Sequence, residues 1–142
     1  MSTTVDYETD LYAWTQRQAD ALRRRAGNEI DYENIAEEIE TLGRSERHEI
    51  QSRLDTLVLH LIKLHAQPDH RAARKWSGMV FEERRQLVQR IEDSPSLRSL
   101  PALKLPETYA AMRKRALMLG FADIPEACPW PVGDVLAEDF LP

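Results

Sequence analysis

The stretch Ile50-Gln-Ser-Arg-Leu-Asp-Thr-Leu-Val-Leu-His-Leu-Ile-Lys-Leu-His-Ala-Gln67 decides the fold. On a helical wheel of ~100° per residue, Ile50, Leu54, Leu57, Val58, Leu61, Ile62 and Leu64 span an arc of about 160°. A helix so broadly apolar belongs at the centre of a bundle. Leu59 falls outside the arc and asks for burial nearly all round, or for a second contact surface.

Working outward, the same period continues upstream through Ile35, Ile39 and Leu42, the expected inner stripe of a helix that opens at Asp31 as N-cap. Gly43 marks either a bend or a break before the period resumes at Ile50. A first helix starts near Thr9 or Asp10, takes Leu11, Trp14 and Leu22 as its inner stripe, and stops at Gly27–Asn28. Arg23, Arg24 and Arg25 suit its C-terminal dipole.

Downstream, Pro68 ends the central helix. A third helix covers residues 71–92 with Trp76, Val80, Leu87 and Ile91 on one face. Ser94-Pro95 reads as a fresh start with serine capping, and Pro101 and Pro106 as dividing a short piece from a helix closed by Gly120. Residues 121–142 are proline-studded, with a single helical turn around residues 132–137. Phe121, Trp130 and Phe140 would anchor them as a strap. No alternating β-branched run appears. The expectation is an all-α, single-domain bundle over residues 1–142, with about four main helices and a proline-rich C-terminal strap.

The bulk properties agree. A 142-residue chain, 42% hydrophobic and 30% charged, can bury roughly two thirds of its unfolded surface. Its 19 Lys+Arg against 24 Asp+Glu leave −5, which argues against a protein that coats nucleic acid. Cys128 is the only cysteine, so no disulfide framework or multi-thiolate zinc site is expected, in keeping with a reducing cytoplasm. The acidic first ten residues are unlike a signal peptide, and the apolar run 57–64 is too short to span a bilayer.

Along one edge of the central helix run Glu46, Glu49, Arg53, His60 and Gln67, the last three in steps of seven. Such a polar seam is either a structural network or a site. Arginine and histidine at this spacing recur in an all-helical superfamily of ribonucleases, where they handle phosphate charge and proton transfer. On that reading Arg53 and His60 are the catalytic candidates, with Glu49 or Glu46 orienting them, although Leu54 stands where that superfamily has a polar residue.

Glu33, Glu37 and Glu40 form an acidic face that pairs with Arg44. No Glu-x-x-His occurs, so the di-iron signature is missing and no metal is expected. Arg71, Arg74 and Lys75, beside His65 and His70, are the candidate nucleic-acid contacts, with Arg113-Lys114-Arg115 a shorter basic run. Cys128 has no nearby cation to activate it. No phosphate loop, nucleophile elbow or dinucleotide fingerprint is present, and no cofactor is called for.

Tyr7-Glu-Thr-Asp-Leu-Tyr-Ala-Trp14, Glu33-Asn-Ile-Ala-Glu-Glu-Ile-Glu40 and Leu42-Gly-Arg-Ser-Glu-Arg47 resemble the uncharacterised bacterial family called "domain of unknown function 29". So do His60-Leu-Ile-Lys63, Gln67-Pro68, Ser94-Pro-Ser-Leu97 and Glu138-Asp-Phe-Leu-Pro142. The blocks occur in order over essentially the whole chain, although the family pattern often has tryptophan where Leu64 stands. The resemblance implies a small helical protein of cyanobacteria and proteobacteria with no established activity, cofactor or catalytic residue.

The first expectation is therefore a non-enzymatic helical module that works through a protein partner or as a homodimer. A ribonuclease-like or toxin-type enzyme on Arg53 and His60 is the alternative, and nucleic-acid binding near Arg71 is the weakest.

Overall fold

The computed structural model describes residues 7–142. Residues 1–6, the first part of the ten-residue segment read above as unlike a signal peptide, lie outside that range. Four main helices carry the fold: α1 (Leu11–Arg24), α2 (Tyr32–Ala66), α3 (Ala73–Asp93) and α4 (Leu100–Met118), followed by the single turn α5 (Val132–Leu136). Short 3-10 turns at Gly27–Glu29 and Pro95–Leu97 link them. No strand occurs among the described residues, and no described helix is long and apolar enough to cross a membrane.

The chain divides into two compact units, residues 1–46 and 47–142, with the boundary inside α2. In the first unit, the Asp10 carboxylate accepts from the Ala13 N–H at 3.0 Å and starts α1, and Arg25, at φ 57, ends it. The buried face of α1 is Trp14, Gln18 and Ala21, not the expected Leu11 and Leu22, which are exposed. Gln18 closes the α1–α2 turn: its Oε1 accepts from the Asp31 N–H at 2.7 Å and its Nε2 donates to the Glu29 carbonyl at 3.2 Å. A buried amide so placed satisfies two backbone groups that the turn would otherwise strand. Trp14 Nε1 donates to Asp31 at 3.1 Å, and the Tyr7 hydroxyl to Glu38 at 2.6 Å.

α2 is one helix of 35 residues, unbroken at Gly43. From Ile50 onward it is the core of the second unit: Ile50, Leu54, Leu57, Val58, Leu61, Ile62 and Leu64 are buried, and so is Leu59, so the helix is covered nearly all round there. Trp76, Val80 and Leu87 of α3 and Leu100, Leu105, Tyr109 and Ala116 of α4 complete that core.

Pro101 and Pro106 do not divide α4. Pro101 falls in the first turn, where its missing N–H needs no partner. Pro106 removes one helical bond, which burial of Leu105, Thr108 and Tyr109 around it offsets. Ser94 does not cap a helix either, because Pro95–Leu97 forms only a 3-10 turn with no side-chain cap. Gly120, at φ 96, lets the chain leave α4 in a conformation that disfavours a side chain.

The C-terminal strap is bonded, not merely laid down. Tyr109 Oη donates to the Pro125 carbonyl at 2.6 Å, and Arg113 Nε to the same oxygen at 3.0 Å. Trp130 meets His65, Tyr109 and Phe140 edge-on, with ring centroids 5.8, 6.0 and 6.4 Å away.

Candidate functional site

Within the second unit, two of the seam residues, Glu49 and Arg53, join α2 to α3. Arg53 of α2 spans two carboxylates, Nη2 to Glu49 at 3.0 Å and Nη1 to Glu83 of α3 at 3.1 Å. Arg90 reaches the same Glu49 at 3.7 Å. Arg53 Nε is buried with no hydrogen-bond partner among the described residues. With both terminal nitrogens engaged, the guanidinium is neutralised and braced between α2 and α3.

His60 lies two turns along α2, which is about 10 Å of helix rise. It is buried, and its Nδ1–H donates to the Thr56 carbonyl at 2.7 Å. Burial pushes the imidazole below its ordinary pKa, against the opposing pull of that hydrogen bond. Arg53 and His60 thus share an edge of α2 but no hydrogen-bond partner; the Glu83 carboxylate that pairs with Arg53 acts on His60 only through its charge. Gln67 is exposed just beyond the helix end.

The basic candidates Arg71, Arg74 and Lys75 are exposed around the start of α3. Trp76 beside them is buried and stacked against His70 at 4.6 Å, so its face is already occupied and offers no platform for a base. Glu33, Glu37 and Glu40 are exposed, and Glu40 pairs with Arg44 at 3.7 Å. Among the described residues no group of three His, Cys, Asp or Glu is placed to hold a metal ion. The half-buried Cys128 donates its thiol to the Trp130 carbonyl at 3.4 Å, and burial raises its pKa, so the thiolate is suppressed.

Three features go beyond what the sequence indicates. Arg84, within the charged run 82–85, is buried and donates to three strap carbonyls: Val135 at 2.9 Å, Glu138 at 3.1 Å and Phe140 at 2.8 Å. Gln51 and the buried Thr108 join α2 to α4 at 2.8 Å. The third is an exposed apolar row. Tyr32, Ile39 and Leu42 are 63%, 65% and 72% exposed, and not one of residues 36–48 is buried. Of the stripe expected to be internal, Ile39 and Leu42 are therefore open to solvent, while Ile35 is half-buried. On the wheel these three side chains fall within ~80° of one another. Glu38 flanks them on one side, with Glu33 and Glu40 on the other.

The chain is similar to a solved structure of an alpha-helical protein of unknown function from Rhodospirillum rubrum, at 28% identity and a TM-score of 0.62. That likeness covers 94% of this chain and 90% of the other. No curated protein matches. Over residues 7–141 the sequence fits the family described as "Domain of unknown function DUF29", and the chain belongs to that family.

Proposed function

We propose that the protein is a non-enzymatic helical interaction module that docks a basic amphipathic helix of another protein on the row Tyr32, Ile39 and Leu42. The observation that carries this is the exposure of Ile39 and Leu42 along a stretch of α2 with no buried residue. Apolar side chains aligned on one helix face and left in water favour a helix partner with matching anchors. The rim decides which partner. Glu33, Glu38 and Glu40 border the row, and the first cation along the helix is Arg44. A second copy paired over this row would bring Glu38 and Glu40 against their own kind, whereas lysines or arginines flanking a foreign helix would complement them.

The ribonuclease-like alternative has no comparable support, since Arg53 is held by Glu49 and Glu83 and His60 is buried against its own helix.

The test is a fluorescence-anisotropy titration of a labelled leucine/lysine amphipathic peptide of about 18 residues, long enough for five turns. Saturable binding, weakened by salt and lost in the Ile39→Ser/Leu42→Ser double variant, is the expected result. Binding that the double variant retains would overturn the reading. A sedimentation-equilibrium mass of twice 16.4 kDa for the free protein would also overturn it, by giving the face to a second copy.

A further inference from the structure

Lys63 is the one half-buried or buried Lys or Arg, among the described residues, whose side chain has no acceptor. Arg53 and Arg90 have carboxylates, Lys104 has Glu107, and Arg84 and Arg113 have backbone carbonyls. The Lys63 ammonium instead rests between two aromatic rings, 5.7 Å from the centre of Trp76 and 5.9 Å from that of Phe121. Those rings meet edge to face, with centroids 5.6 Å apart, so the two surfaces that the ammonium rests on brace each other. Lys75 is the chain neighbour of Trp76. Arg115 is the neighbour of Ala116, whose carbonyl accepts from the Phe121 N–H at 3.1 Å. α2, α3 and α4 thus each bring a cation to this corner of the second unit, and none of the three is ion-paired. Desolvation and the charges of Arg115 and Lys75 all push the Lys63 pKa down.

An ammonium partly withdrawn from water among like charges is costly unless an anion completes the set. We propose that Lys63, Lys75 and Arg115 form a binding site for a phosphate-type oxyanion. Aromatic walls hold the Lys63 head in place before binding, and the two exposed cations supply the remaining charge and the forked donors. Because Trp76 is buried and capped by His70, nothing here stacks on a nucleobase. Recognition is of the phosphate group itself, whether free or on a small phosphomonoester.

The test is isothermal titration of the full chain with inorganic phosphate, pyrophosphate and a simple sugar phosphomonoester, with chloride as the comparison anion. Saturable binding of at least one phosphate compound is expected. It should weaken about tenfold or more in Arg115→Gln and again in Lys63→Gln, as loss of a charge-assisted bond requires. Tighter binding of the phosphomonoester than of inorganic phosphate would identify a metabolite as the source, and the reverse order the free ion. Arg115 is exposed, so its substitution tests the site without burdening the fold. The absence of binding to wild type at millimolar anion would overturn the proposal, as would affinity unchanged in Arg115→Gln. Preferential binding of a single-stranded oligonucleotide that depends on Arg71 and Arg74 would also overturn it, in favour of a nucleic-acid surface.

Discussion

Arg84 Nη2 donates to the Phe140 carbonyl at 2.8 Å across 56 residues of chain, and so ties the middle of α3 to the last residues of the strap. Its other two bonds go to Val135 and Glu138, which makes one buried guanidinium the clasp of the C-terminal segment. Arg84→Ala strands those carbonyls and leaves a hole. Chemical denaturation should show a loss of about 3 kcal/mol or more. A loss under about 0.5 kcal/mol would mean that the aromatic contacts of Trp130 hold the strap alone.

His60 predicts the acid side of the stability profile. Its folded pKa lies below the ordinary 6.5, chiefly because burial disfavours the charged ring. The unfolded chain therefore binds the proton first. The His60 contribution is intact above about 6.5 and is lost as pH falls from there through the folded pKa. Wild type should lose stability over that window, and His60→Gln should flatten the loss. An identical slope in both proteins would place the titration elsewhere.

The exposed row and the core below it should respond oppositely to truncation. Leu57→Ala removes a fully buried side chain and should cost about 3–5 kcal/mol. Ile39→Ser and Leu42→Ser remove side chains that touch mostly water and should change stability by less than about 0.5 kcal/mol each. Thermal melts of the three variants decide this, and a large loss in Leu42→Ser would show that the row is covered within the chain.

Gly43 lies inside α2 with open space where a Cβ would project. Gly43→Ala should strengthen the helix around it by about 0.5–1 kcal/mol, read as slower amide exchange of residues 41–46. Faster exchange would mean that the glycine accommodates a bend.

The periodicity of residues 50–67 was enough to place the core, because a helix with seven apolar residues in one arc has few ways to avoid its centre. Leu59, left open there between all-round burial and a second contact surface, is buried, and the period of residues 71–92 placed Trp76 in the core. The same periodicity misplaced Ile39 and Leu42, since spacing shows that a face is apolar but not what covers it. α1 misled similarly: Gln18 is buried because it satisfies Asp31 and Glu29 across a turn, a partnership that no local pattern encodes. Arg84 was hidden among the charges of 82–85 for the same reason, its acceptors being 51 to 56 residues away. Lys63 carries no local signal, since its isolation from acceptors exists only once α3 and the Phe121 segment are in place. The seam on Arg53 was legible as a line of polar residues, but Glu83, which completes its pairing, lies on another helix.

The most direct test of the account is amide hydrogen exchange across α2, free and saturated with the leucine/lysine peptide. The account predicts that residues 36–48, which lack buried side chains, exchange faster than residues 50–64 in the free protein and are slowed on binding. Protection appearing elsewhere, or residues 36–48 unchanged by saturating peptide, would contradict it.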